Sequence, residues 1–380
     1  MIVGFDGYFM ADETSALGAT ERNLVLRLAE VDRDDSFVVF VTQAGLKHLP
    51  ALPNVKGVVL SEPRLHNAVG RVRSIERAVK ALDQRLDVYI ETCEISPRFG
   101  SSVTIFSFEH DFSQGTLERP LSFARVKGMG YRFLHVRSIR RTRAFFCNSQ
   151  FTLDQLKRYL EPAQDAVVFP HGCEQVFREG ASEGLTGSEN PARQTFDRYL
   201  LFVGRVQVRH KNLTLLLRAF AELSERLPDL RLVVVSSQEF SREQRRLVGK
   251  MADRVSLLRG LNTAEIARLY RSASALVMTS TYEGFGVPII EAQSLGCPVV
   301  LNDIAVFREV AGDGGIFFDG TASDLVRKLE FVLESQNTES YVRLGLQNSR
   351  RFSWETTAAI VRDRLASERR RVRPGGRTEN

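Results

Sequence analysis

Short, almost wholly apolar runs alternate along the chain with segments whose apolar residues recur every three or four positions. In the first half the runs are MIVGFD, SFVVFVT, DVYIE, SVTIFSF, AFFCNS and AVVFPHG; in the second, RYLLFVGR, LRLVVVSS, VSLLRG, ALVMTS, CPVVLND and GGIFFD. Between them lie stretches of helical period, such as NLTLLLRAFAELSERL (212–227) and AEIARLYRSA (264–273). Strands that are apolar on both faces, separated by helices, predict parallel sheets covered on both sides: an α/β fold. Residues 178–197, REGASEGLTGSENPARQTFD, are polar, rich in Gly and Ser, and carry no period. The pattern restarts after them. Two doubly wound domains are therefore expected, 1–175 and 197–350, joined by a linker over 176–196, with ligands at the carboxyl ends of the strands and between the domains. The arginine-rich end, 369–380, is expected to be a basic tail.

Composition narrows this little. The chain has 380 residues, 43% of them hydrophobic and 26% charged, which excludes disordered and fibrous classes and is long enough for two cores. Cys93, Cys147, Cys173 and Cys297 are scattered with no CxxC pair. That argues against zinc and against a disulfide framework, and suits a reducing cytoplasm. No run approaches the 18 or so apolar residues of a membrane span, and the first residues lack a signal-peptide pattern. A cytoplasmic protein is expected, meeting any membrane from its inner surface. Lys and Arg exceed Asp and Glu by six, but unevenly. From Arg119 to Arg143 there are eight basic residues and no acid, interleaved with Phe123, Tyr131 and Phe133. Residues 64–86 read as a basic amphipathic helix. Such faces attract anionic headgroups or a diphosphate-bearing lipid, though a solvated basic face accounts for them equally well. No nucleic-acid module is visible, so nucleic acid is not an expected partner.

Chemistry concentrates in two stretches of the second half. TSTYEGFGVPIIEAQSLGCPVV (279–300) places Glu283 in a glycine loop after a strand and Glu291 on the helix that follows. Pro288 suits the first turn of that helix, because it lacks an N–H and its φ is preset. The backbone at Gly284, Phe285, Gly286 and Val287 thus lies at the positive end of a helix, a place for phosphate or polyol oxygens. Taken alone, a glycine turn with two solvated glutamates explains the stretch as well. Upstream, RYLLFVGRVQVRHKNLTLLL puts Gly204, Arg205 and Lys211 between a strand and a helix, where cations clamp a diphosphate. Alone, that too reads as a solvated basic turn. No GxxxxGK[ST] loop exists in the chain.

Together these pieces resemble a family. The order VGR…KNL, TYEGFGVPIIEA, GCPVV, REVAGDGGIFFD and RFSWETTA is similar to that of the retaining nucleotide-sugar glycosyltransferases of family 4 (glycosyl transferases group 1). The first half agrees: ALGATERNLVLRLAEVDRDDSFVVFV, VTIFSFEHDF, AFFCNSQFTLDQL and VVFPHGCEQVF resemble the family's first-domain segments. The resemblance implies the GT-B architecture, two Rossmann-like domains facing each other across a cleft, the first completed by a C-terminal helix near 353–368. It implies that Arg205 and Lys211 neutralise the donor diphosphate, that Glu291 holds the ribose, and that Glu283 contacts sugar hydroxyls. Phe285, Gly286 and Val287 would offer N–H groups to sugar and phosphates. Gly18 would let the backbone approach the diphosphate, His110 would face the reacting sugar, Asp111 would lie on the acceptor side, and Gly260 and Leu261 would neighbour the base. It further implies a metal-independent hexosyltransferase with no cofactor. The expected donor is GDP-mannose, with rhamnose, glucose and N-acetylglucosamine as competing sugars, and the expected acceptor is a saccharide or polyprenyl-diphosphate-linked saccharide.

Two departures stand out: Ala16 and Thr20 replace a usual glycine and aromatic, and VVVSSQEF replaces a glycine-rich turn. Three further signals read as structural. DRD at 32–34, a possible metal-binding DxD, falls between a helix and a strand on the edge away from the carboxyl ends. His171 reads as a turn residue, and Cys173 and Cys297 as small apolar residues. A sugar-nucleotide epimerase or hydrolase on the same fold would need extra acid–base carboxylates. Against a non-catalytic sugar-nucleotide-binding partner that has lost turnover stand the intact Arg205, Lys211, Glu283 and Glu291.

Overall fold

The computed structural model describes residues 1–12, 15–61, 68–92, 95–99, 103–109, 133–179, 198–334 and 338–372. The chain divides into two compact units, Met1–Gly172 with Trp354–Asn380, and Cys173–Ser353.

The first unit is built on a parallel seven-stranded sheet. Its strands are β1 (Ile2–Gly7), β2 (Ser36–Val41), β3 (Val55–Val59), β4 (Val88–Glu91), β5 (Thr104–Glu109), β6 (Ala144–Cys147) and β7 (Asp165–Val168), in the order β3-β2-β1-β4-β5-β6-β7. β3 is an addition to the sequence reading. Its VKGVV is only half-buried at a sheet edge and carries a lysine and a glycine, so it shows no unbroken apolar run. The inner strands bury Val3, Phe5, Val39, Ile90 and Phe106 completely. Phe108 stacks on Phe146 at 5.0 Å and meets Phe169 at 4.6 Å. Helix Ala16–Val31 is capped by the Ser15 hydroxyl, which accepts from the Gly18 N–H, and buries Leu24, Val25 and Leu28. Helix Trp354–Val372 returns to this unit and adds Ala358, Val361 and Leu365 to the same core. The basic end therefore differs from the expected tail: the helix runs to Val372, and Arg369 inside it pairs with Asp32 at 2.9 Å and with Asp35 at 2.6 Å. Asp32, the first residue of the DxD-like triplet, is thus held by an arginine.

At the carboxyl ends of β1, β4 and β5, four carboxyls are 0–1% exposed: Asp6, Glu21, Glu91 and Glu109. Arg71 stands 3.6 Å from Asp6, Thr92 donates to Glu21 at 2.7 Å and Ser107 donates to Glu91 at 2.6 Å. Burial dominates the acidity of three of them. It pushes Glu91 up to about 8 and raises Asp6 and Glu21 above the ordinary carboxyl range.

The second unit carries β8 (Tyr199–Val203), β9 (Arg231–Val235), β10 (Val255–Leu258), β11 (Ala275–Met278), β12 (Val299–Asn302) and β13 (Gly315–Phe318), all parallel, in the order β10-β9-β8-β11-β12-β13. Helix Leu213–Arg226 buries Leu213, Leu216, Leu217, Phe220 and Leu223, the stripe that its period predicts. Capping boxes at Ser241–Gln244 and Asn262–Glu265 start two further helices. Renumbered from β8, the strand order is 3-2-1-4-5-6, so the chain reverses direction across the sheet between β8 and β11. In such sheets the crevice outside the carboxyl ends at this reversal is where ligands bind.

Candidate functional site

Both charged stretches found in the sequence emerge at that reversal. The segment after β8 begins with Gly204, at φ 153, and the exposed Arg205, and ends at Asn212 in the left-handed region with φ 48. Asn tolerates that conformation better than most residues. The segment after β11 is tied to it by backbone and side-chain hydrogen bonds. The buried Thr279 hydroxyl donates to the carbonyls of Lys211 (2.9 Å) and Asn212 (3.0 Å), and the Thr281 N–H donates to the carbonyl of His210 (2.8 Å). Asn302, at the end of β12, donates to the Ser280 carbonyl at 3.0 Å. The loops are thereby fixed with Lys211 and Glu283 in contact, Nζ to Oε1 at 2.5 Å, the side chains 19% and 11% exposed. Arg205 makes no ion pair among the described residues. One cation is paired and one is open.

Beyond Glu283 the chain turns into helix Val287–Ser294. Gly286, its N-cap, has φ 103, and a Cβ there would lie 3.0 Å from both Ile289 and Phe307. A side chain at 286 is excluded by conformation and by space. Phe285 is 4% exposed and lies edge-on to Phe352 at 5.6 Å, so its ring anchors the loop. The helix start has Pro288 in its first turn and no side-chain cap, leaving the Gly286 and Val287 end of the dipole open to an anion. Glu291 is half-buried and accepts from the Tyr270 hydroxyl at 2.9 Å. Burial raises its pKa to about 7, with the Tyr270 hydrogen bond pulling down and the charge of Glu174 pushing up. Gly260, at φ 68, follows β10, with open space where a side chain would be and Leu261 half-buried beside it.

Residues 188–350 match the family model described as "Glycosyl transferases group 1". Over those residues the chain is similar to the group 1 glycosyltransferases. Among its relatives, a D-inositol 3-phosphate glycosyltransferase of Arthrobacter sp. (strain FB24) is 33% identical over 173 residues, covering 43% of this chain and 41% of the relative. A phosphatidyl-myo-inositol mannosyltransferase of Mycobacterium tuberculosis (strain CDC 1551 / Oshkosh) is 29% identical over 206 residues, covering 52% and 53%. The chain thus spans about half the length of these curated relatives. In fold, sucrose-phosphate synthase from Thermosynechococcus elongatus matches 97% of this chain and 100% of its own, with TM-score 0.75 at 16% identity, so the fold is that of the GT-B glycosyltransferases. Within residues 188–350, Arg205, Lys211, Glu283, Glu291 and the Phe285–Val287 backbone gather around the strand reversal, with Gly260 and Leu261 two strands away.

The remaining candidates lie in the first unit. Gly18 is buried against its own loop: a Cβ there would lie 2.1 Å from the Asp12 carbonyl and 2.6 Å from that of Phe9. Local packing alone requires glycine at 18. His110 and Asp111 fall outside the described residues, as does most of the basic run that begins at Arg119. Among the described residues no helix is long and apolar enough to cross a membrane. His171 is 3% exposed, with Nδ1 3.1 Å from the Thr20 hydroxyl and its ring edge-on to Trp354 at 6.0 Å, so it is a core histidine. Sequence reasoning missed Thr279 and Tyr270. The only signal for either is that a polar group inside an apolar pattern needs a partner.

Proposed function

We propose that the chain is a retaining hexosyltransferase that takes mannose from GDP-mannose and passes it to a saccharide or lipid-linked saccharide. The observation that carries this reading is the meeting of Lys211 and Glu283 at the strand reversal, with Arg205 and an uncapped helix start in the same region. A diphosphate in that crevice would draw Lys211 from Glu283 to its oxygens and find Arg205 and the helix N–H groups beside them. Glu283, released, would accept from sugar hydroxyls, and Glu291 would accept from the ribose. The acceptor hydroxyl oxygen bonds to the anomeric carbon as the bond from that carbon to the phosphate oxygen breaks, and the departing diphosphate takes the acceptor proton on the same face. Charge growing on the leaving group is met by two cations and a helix dipole, so the reaction proceeds without a divalent metal.

Mannose is favoured by the mannosyltransferase among the relatives. A cytoplasmic site of action, in contact with anionic lipid, fits the basic stretches of the first unit. A hydrolase or epimerase would need additional carboxyls presented to the substrate, and those at the strand ends of the first unit are 0–1% exposed. With GDP-mannose and a mannoside or lipid-linked acceptor, release of GDP is expected at the same rate in EDTA as with magnesium, and the new linkage should keep the donor's anomeric configuration by NMR. Activity abolished by EDTA and restored by magnesium, or an inverted product, would refute the mechanism.

A further inference from the structure

Glu291 is held by a partner whose own surroundings leave it little choice. Tyr270 is fully buried near the end of helix Thr263–Ser272, its ring edge-on to Phe177 at 6.1 Å. A phenol so placed must spend its proton on an acceptor, and it donates to Glu291 Oε2 at 2.9 Å. Burial and the neighbouring Glu291 charge raise the phenol's own pKa well above its usual range, so it stays a donor. Glu291 Oε1 makes no hydrogen bond among the described residues. One oxygen is fixed and one is left over.

We propose that Tyr270 is a positioning residue of the donor site: its hydroxyl fixes one oxygen of Glu291 so that the other meets the ribose hydroxyls. The inference rests on the reading of Glu291 as the ribose holder. A carboxylate already held in one rotamer loses less freedom when the ribose arrives, so the tyrosine acts on affinity without touching the ligand. It also acts on charge. Helix Val287–Ser294 packs against Thr263–Ser272, Gln175–Glu179, Ala305–Ala311, Glu339–Ser349 and β12. Of the titratable groups that the described side chains of these elements bring, Tyr270 and the adjoining Glu174 bear on Glu291, whereas Glu265, Arg268, Arg271, Arg308, Glu309, Glu339, Tyr341 and Arg343 do not; Cys173 and Cys297 bear on Tyr270 itself. Tyr270 favours the ionised carboxylate and Glu174 opposes it. The two substitutions therefore move the acidity of Glu291 in opposite directions.

The test is calorimetric titration of the wild type, Tyr270→Phe and Glu174→Gln with three probes: the tightest-binding of GDP, UDP, ADP and dTDP, its form lacking both ribose hydroxyls, and inorganic pyrophosphate. The wild type should prefer the full nucleotide over the ribose-stripped form. Tyr270→Phe should shrink that preference by about 3- to 10-fold, leaving pyrophosphate affinity within about twofold. The midpoint pH of the ribose-dependent part should move up in Tyr270→Phe and down in Glu174→Gln. An unchanged preference in Tyr270→Phe, or equal weakening of all three probes, would make the tyrosine a packing residue and overturn the proposal. So would a midpoint that stays put in Glu174→Gln, a surface-proximal change whose effect can be read even if the phenylalanine variant folds poorly. If the wild type binds none of the four nucleotides, the donor-site reading itself fails, an outcome distinct from the others.

Discussion

Replacing Lys211 by alanine is expected to lower sugar transfer by about 10²- to 10³-fold, the usual loss when one preorganised electrostatic contact to a developing charge is removed. Lys211 has two roles here. In the unliganded protein it neutralises Glu283, and in the proposed reaction it meets the leaving diphosphate. Glu283→Ala should be comparably inactive for a different reason, since it removes the contact to the sugar and leaves the lysine free. The two variants should therefore separate in binding: Lys211→Ala loses affinity for the nucleoside diphosphate, whereas Glu283→Ala keeps it or gains, because the ammonium no longer has to leave an ion pair. Both side chains lie at the mouth of the strand ends, 11–19% exposed, and neither belongs to the hydrophobic core. Unfolding temperatures should stay within a few degrees of the wild type. Full transfer activity in either variant, measured with purified protein and donor, would remove the pair from the mechanism.

The second large effect concerns stability in the first unit. Glu91 titrates near 8 in the folded protein, because burial disfavours its charge, against roughly 4.3 in the unfolded chain. Between those values the folded state holds a proton that the unfolded state has released, so stability falls as pH rises. The slope is at most about 1.4 kcal/mol per pH unit for one such group. From pH 6 to pH 8, Glu91 alone accounts for a loss of roughly 2–3 kcal/mol. Asp6 and Glu21 are raised by the same burial, and Glu291 in the second unit titrates near 7, so all act in the same direction. Exposed carboxylates with lowered values, such as Asp303 and Asp319, titrate below this window and leave the slope alone. Scanning calorimetry should show a lower unfolding temperature at pH 9 than at pH 6, and Glu91→Gln should flatten the trend. A temperature that rises toward pH 9 would contradict the upward shift of Glu91.

These four carboxyls mark where reading the sequence stopped. Asp6, Glu91 and Glu109 each close an apolar run, and a single acid at the end of a strand looks the same whether it meets solvent or a neighbouring strand. Only the order β1-β4-β5 brings them together, and the spacing of the runs does not specify strand order. The opposite holds for the second unit. There each apolar run became a parallel strand, and the helical stripes point inward as their period requires, because burial on two faces leaves little freedom in composition. Arg205, Lys211, Glu283 and Glu291 were legible as charges at the ends of runs with glycine or proline beside them. Tyr270 was hidden inside a helical stripe, since an aromatic at a core position is what such a stripe contains in any case. Arg369 was masked by its neighbours: a run of arginines looks like a solvated end, yet one of them reaches Asp32 and Asp35.

The central claim is that the strand reversal of the second unit binds a nucleoside diphosphate through Arg205, Lys211 and the start of helix Val287–Ser294, without a metal. The most direct measurement is calorimetric titration of the wild-type protein with GDP, UDP, ADP and dTDP, each in EDTA and in magnesium. The account predicts that GDP binds most tightly of the four, with the same affinity in both buffers. Binding that requires magnesium, or no binding of any of the four, would contradict it.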